Sequence, residues 1–119
     1  MKRILQGDVG SGKTLVALAA ILNVIENSKQ ASLMAPTELL SIQHYNFIKN
    51  FTESLSIKVA LLTSKIDKDE RISILDKISN GYIDIVIGTH SLISDKVTFN
   101  NLGIAVIDEQ HKFGVIQRS

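Results

Sequence analysis

Gly7-Asp8-Val9-Gly10-Ser11-Gly12-Lys13-Thr14 is the stretch on which the fold turns. Its spacing, G-x-x-x-x-G-K-T, is the phosphate-binding loop pattern. Just before it, Arg3-Ile4-Leu5-Gln6 reads as the end of a strand, and just after it Leu15 to Ile25 is an apolar run with helical character. Strand, glycine-rich turn and helix in that order give the pattern a mechanism. Gly7, Gly10 and Gly12 let the backbone take positive φ and approach a ligand closely. The N–H groups of such a turn form an anion nest, with the positive end of the next helix dipole behind them. Lys13 is then placed to reach the β- and γ-phosphates of a nucleoside triphosphate, and the Thr14 hydroxyl to ligate Mg²⁺. The plain alternative is a glycine-rich turn that chance has followed with Lys-Thr.

Outward from this loop, strands and helices alternate. Residues 3–6 form the first strand and 13–27 the first helix. In that helix Leu15, Val16, Leu18, Ala19, Leu22 and Ile25 sit at helical spacing, while Ala17, Ala20, Ile21 and Val24 fill much of the other side. A helix apolar nearly all round is expected to be buried on more than one face. Asn27-Ser28 ends it. Ala31 to Ala35 is a second strand, broken by Pro36, and Thr37 is a natural N-cap for a helix beginning Glu38-Leu39-Leu40. That helix sends Leu40, Tyr45 (or His44), Phe47, Ile48 and Phe51 towards a core. Residues 57–63 form a third strand. Residues 68–79 form a helix with Ile72, Leu75 and Ile78 on one stripe, closed by Asn80-Gly81. Residues 83–88 form a fourth strand, 91–93 a short helical turn, and 104–108 the last strand. Alternating elements with strands apolar on both faces predict a parallel sheet covered by helices on both sides, with right-handed crossovers. The fold class expected is α/β, a doubly wound parallel sheet.

A second chemical site stands at the end of the last strand. Ile104-Ala105-Val106-Ile107-Asp108-Glu109 is an apolar strand finishing in two carboxylates. Open α/β sheets present ligand groups at the carboxyl ends of their strands. There Asp108 would hold Mg²⁺ through water, and Glu109 would orient or deprotonate an attacking water. Two solvated acids capping a strand are the plain alternative. Paired with the upstream loop, the acids read as the other half of a site for nucleoside triphosphate hydrolysis.

Composition bounds the reading. The 119 residues are enough for a single core, and 45% hydrophobic with 21% charged is a globular composition. The absence of cysteine excludes disulfides and Cys-based metal sites, and it fits a reducing, cytoplasmic setting. No secretory signal is present, and the apolar run Leu15 to Leu22 is far short of a membrane span. The net charge of +1 excludes the strongly basic footprint of many nucleic-acid binders. Contact with DNA would have to come from a few placed groups.

Asp108-Glu109-Gln110-His111 is a DExH box, so the two motifs together resemble the first ATPase lobe of a superfamily 2 helicase. The resemblance is closer still to the RecG family of bacterial branch-migration helicases. It is carried by the phosphate-binding loop, by Met34-Ala35-Pro36-Thr37-Glu38-Leu39-Leu40, by Asp84-Ile85-Val86-Ile87-Gly88-Thr89-His90, and by Asp108-Glu109-Gln110-His111-Lys112-Phe113-Gly114-Val115. It implies a P-loop NTPase of RecA-like fold using ATP and Mg²⁺. Lys13, Thr14, Asp108 and Glu109 would be the ATPase residues. Pro36-Thr37 and Gly88-Thr89-His90 match blocks that contact the DNA backbone in such helicases, and Gln110 and His111 would couple hydrolysis to DNA contact. Simpler roles stand beside these: Thr37 as a helix N-cap, His90 as a turn histidine, and Lys112, Phe113 and Arg118 as ordinary surface and core rather than a DNA-binding segment.

The resemblance also implies an incomplete lobe over 1–119, without the wedge domain, the block after DExH or the second lobe with its arginine finger. A strand carrying that block would lie between the first strand and the Asp108 strand, so the sheet is expected to gap or close up there. The chain would then act on branched DNA (replication forks, Holliday junctions) only as a fragment, weak or inactive alone, or with a second polypeptide supplying the other lobe. Three alternatives remain at this point: the translocase lobe of a transcription-repair coupling factor, a degenerate non-catalytic module that binds nucleotide or a protein partner, and, more weakly, a small-molecule kinase.

Overall fold

The computed structural model describes residues 3–8, 11–93, 97–108 and 112–117, with side chains for 16–93 and 97–108. The elements in order are β1 (Arg3–Asp8), α1 (Ser11–Glu26), β2 (Gln30–Ala35), α2 (Glu38–Thr52) with a 3₁₀ turn (Glu53–Leu55), β3 (Val59–Leu62), α3 (Lys68–Ser79), β4 (Ile85–Thr89), α4 (His90–Ile93), β5 (Leu102–Asp108) and β6 (Lys112–Gln117).

Local chemistry fixes most of the boundaries. Thr37 caps α2, its Oγ1 accepting from the Leu40 N–H at 3.2 Å. Asp67 caps α3 in the same way, with Oδ1 accepting from the Glu70 N–H at 2.7 Å. At its other end α3 closes on Gly81, whose φ of 86° is free of Cβ strain. The Tyr82 N–H reaches the Lys77 carbonyl and the Gly81 N–H the Ile78 carbonyl, the paired bonds of a Schellman ending. α1 ends with the same pair of bonds, Lys29 N–H to Val24 O and Ser28 N–H to Ile25 O. There Ser28 takes the left-handed position, at φ 63°.

The six strands lie in the order β1-β6-β5-β2-β4-β3. β5, β2, β4 and β3 are mutually parallel neighbours. Alternate residues of each strand serve opposite faces. Ala31, Leu33, Ile85, Ile87, Ile104 and Val106 meet α1 and α2 on one face. Met34, Ala60, Leu62 and Val86 meet Ile78 of α3 and Ile93 of α4 on the other. Connections running one way along the sheet use the first face, and those running back use the second, so all share one hand. This is the doubly wound α/β layering expected.

Several expectations need correcting. The sheet is not wholly parallel, and it neither gaps nor closes up. β6 fills the place between β1 and β5 and runs antiparallel to both. The reason is the short link from Asp108 to Lys112. A parallel return needs a crossover of about a dozen residues or more, so a strand that follows at once must turn back. The α3 stripe is also different: Ile72 is 55% exposed, while Ile74 and Leu75 pack with buried Ile78. At about 100° per residue, Ile72 lies roughly 120° round the helix from Ile78, whereas Ile74 lies about 40° away. On α2, Phe51 is likewise half-exposed, its ring 5.4 Å from that of Phe47. Among its described side chains α1 is buried on one face and not on several as expected: Ala17, Leu18, Ile21 and Val24 are buried, whereas Val16, Ala19, Asn23 and Glu26 are exposed.

Candidate functional site

The candidate residues that the structure describes lie along the carboxyl edge of the sheet. Phe113 of β6 pairs with Gly7 of β1 on one side and with Asp108 of β5 on the other. Gly7 and Asp108 are therefore level, two strand spacings or roughly 10 Å apart. Helix α1 opens at Ser11, directly after this end of β1. Next to β5, Met34 of β2 pairs with Ile107, and Ala35 pairs with Thr89 of β4. Pro36-Thr37 and Thr89-His90 thus leave the same edge as Asp108. Side chains of 7–14 and 112–117 are outside those described, and Val9, Gly10, Glu109, Gln110, His111 and Arg118 lie outside the described residues altogether.

Asp108 is the best-defined member. Its position on β5 continues the series Ile104, Val106, so its side chain faces the side that carries α1 and α2. The residue is buried at 5% exposure. One carboxylate oxygen, Oδ2, lies 2.8 Å from Nε2 of His44 on α2. The other, Oδ1, is buried and has no hydrogen-bond partner among the described residues. A buried carboxylate oxygen without a donor is costly, on the order of 1–3 kcal/mol or more. Such an oxygen at a ligand edge fits a donor brought by a bound group, such as a water on a metal ion. Among the described residues no cluster of three or more His, Asp, Glu or Cys side chains forms a metal cage. Mg²⁺ is usually held by one or two carboxylates, with phosphates and waters completing its shell.

His44 is the site residue that sequence reasoning passed over, treating it as an alternative to Tyr45 for the core. A signal was present. Leu40, His44 and Ile48 recur every four residues, so a polar ring stands in an otherwise apolar stripe.

The remaining candidates separate by exposure. Pro36, Thr37 and His90 are exposed, and Thr89 is half-buried. The Thr37 oxygen is already engaged as the α2 cap, and its O–H is not used by that bond. Thr89 Oγ1 lies 3.4 Å from Ser91 Oγ. Gly88 is buried, and a Cβ there would sit 2.8 Å from the Leu62 carbonyl oxygen and 3.2 Å from Ile93 Cδ1. Packing between β4 and β3 thus accounts for this glycine. The α2 start is further anchored by Glu38, whose Oε2 accepts from the Ser64 N–H at 2.8 Å. Bonds from the Ser64 hydroxyl and then its N–H hold the Glu38 carboxyl below its ordinary value. An open groove of about 600 Å³ runs along edge strand β3 between α2 and α3. With β2 and β4 lying between it and β5, it takes no part in this site.

The sequence model described as DEAD/DEAH box helicase matches residues 2–119. The chain is similar to the ATP-dependent DNA helicase RecG of Pasteurella multocida (strain Pm70), 50% identical over 118 residues that make up 99% of this chain and 17% of that protein. Against the ATP-dependent DNA helicase RecG of Thermotoga maritima (strain ATCC 43589 / DSM 3109 / JCM 10099 / NBRC 100826 / MSB8) it is 51% identical, over 99% of this chain and 15% of that one. It also superposes on a solved structure of RecG bound to a three-way DNA junction with a TM-score of 0.80 and 48% identity, over 88% of this chain and 14% of that one. The chain therefore spans 15–17% of the length of these curated relatives. The four parallel strands β5, β2, β4 and β3 and their flanking helices match the helicase lobe of that structure.

Proposed function

The chain belongs to the DEAD/DEAH box helicase family, and on that premise we propose that it is the nucleotide-binding part of a RecG-type, ATP-dependent DNA motor acting on branched DNA. One observation carries the reading. Asp108, whose buried Oδ1 has no hydrogen-bond partner among the described residues, stands level with Gly7 at the edge where β1 gives way to α1. Bound Mg²⁺ would neutralise charge on the phosphates and orient them for attack by water.

In this reading the loop N–H groups of residues 7–14 hold the phosphates, and Lys13 carries its charge to the β- and γ-phosphates. The Thr14 hydroxyl and, through water, the Asp108 carboxylate hold the metal. Glu109 orients the water and accepts its proton. Pro36, Thr37, Thr89 and His90 offer a backbone-contacting strip for DNA along the same edge, positioning the strand without reading its sequence. Gly88 keeps β4 close enough to β3 to set the last two in place. Gln110 and His111 would pass the state of the nucleotide to that strip. Full motor activity would also need the portions of RecG that this chain does not span, whether in the same or a second polypeptide. Work on chromosomal DNA would place the protein in the cytoplasm.

The thermal melt of the 119-residue chain with and without Mg-ATP, beside Lys13→Ala, tests the reading. A ligand that binds only the folded state stabilises it by about 2.7 kcal/mol at a hundredfold excess over Kd. That corresponds to roughly 10 °C for a domain of this size. An upward shift that Lys13→Ala removes is expected. A wild-type melt that Mg-ATP leaves unmoved overturns the reading.

A further inference from the structure

We infer that His44 is a positioning residue for Asp108: it holds Oδ2 so that Oδ1 is presented to the hydration shell of the nucleotide's divalent cation. The inference rests on the reading of Asp108 given above, and it adds a residue that no motif of the sequence contains. The contact is short, at 2.8 Å, and joins residues 64 positions apart. Both partners are screened from solvent, the His44 side chain being 13% and the Asp108 side chain 4% exposed. Little water is available to take over either role.

The ring is itself held from behind. His44 shares with Ala17, Leu18, Ile21, Leu33 and Phe47 an apolar cavity of about 10 Å³. That is space for one water at most, so the imidazole has no room to swing into that side. The helix that carries it is pinned at its start by the Thr37 cap and by the Glu38–Ser64 bond. Farther along, buried Ile48 seats it on the sheet. Nε2–H donation to Oδ2 restrains the carboxylate and leaves Oδ1, which has no partner among the described residues, turned to the ligand edge. In metal sites, partners that orient a ligating group in this way are typically worth about 10- to 100-fold in metal affinity.

A His–Asp pair that merely fastened α2 to β5 would show in stability alone. Metal affinity separates the two roles. Mn²⁺ binding to the 119-residue chain, read by electron paramagnetic resonance with a non-hydrolysable ATP analogue present, should weaken about 10- to 100-fold in His44→Ala. His44→Gln, whose amide places a donor near the Nε2 position, should recover most of that loss. Asp108→Asn is the reference. If it binds Mn²⁺ as the wild type does, the metal role of Asp108 fails and the inference falls with it. If Asp108→Asn weakens binding while His44→Ala does not, the metal reading stands and positioning is refuted. Loss in His44→Ala that His44→Gln does not restore also refutes positioning by the donor.

Should His44→Ala not fold, the wild-type protein decides. The imidazole ¹H–¹⁵N correlation should show His44 with its proton on Nε2, displaced when the Mg²⁺ analogue complex is added. A proton on Nδ1 alone, or a signal indifferent to the metal complex, overturns the inference.

Discussion

Gln30 should be among the most costly single positions in this chain to replace. It opens β2, is 4% exposed, and its amide uses its full bonding capacity. Nε2 donates to the Ile78 carbonyl at 2.9 Å and the Ile83 carbonyl at 2.7 Å. Oε1 accepts from the N–H groups of Asn100 at 2.8 Å and Asn101 at 2.9 Å. One side chain thereby ties the end of α3, the entry to β4 and the entry to β5 onto β2. Gln30→Met keeps the length and the buried volume and removes all four bonds. The Ile78 carbonyl keeps a partner in the Gly81 N–H, so its loss is small. The Ile83 carbonyl is buried, and leaving such a group without a donor costs about 1–3 kcal/mol. The two N–H groups are part-buried, and water recovers some of each bond, leaving about 0.5–1 kcal/mol apiece. The sum is on the order of 3 kcal/mol, which would lower Tm by roughly 10 °C in a domain of this size. Urea denaturation followed by circular dichroism measures it, with the slope checked for constancy. A loss below about 1 kcal/mol at unchanged slope would mean the amide's bonds do not hold these elements together, and the reasoning would be wrong.

Other outcomes follow from single features. Gly88→Ala drives a Cβ to 2.8 Å from a backbone carbonyl, so it should cost about 1–3 kcal/mol in the same melt, as overpacking does. Ser28→Gly relieves a left-handed residue at φ 63° and should raise stability by up to about 1 kcal/mol, the steric relief exceeding glycine's extra chain entropy. Glu38 has its carboxyl held below the ordinary 4.5 in the folded chain. Its contribution is therefore present above that value and is lost as pH falls through the lower, folded one. Melts of wild type and Glu38→Gln should differ at neutrality and converge in acid, and a gap that widens in acid would reverse the assignment.

The elements themselves were legible because their signals are local. The Thr37 cap, the span of α3 and its Asn80-Gly81 ending stand in the structure as the sequence reads, since a cap, a helix period and a glycine turn each act within a few residues. Apolar spacing alone is a weaker guide: the helix phase turns Ile72 of α3 outward, and Phe51 of α2 is half-exposed although it lies within about 60° of buried Ile48.

From the sequence alone came the alternation that makes a helix-covered sheet, and the loop and DExH blocks that mark the candidate site. Tertiary structure decided the rest. It put β6 in the slot between β1 and β5, made Gln30 the tie between β2, β4 and β5, and brought His44 to Asp108 across 64 residues. Backbone propensity acts over a few residues, whereas which strand neighbours which, and which buried donor meets which carboxylate, depends on how two faces of one sheet are filled at once.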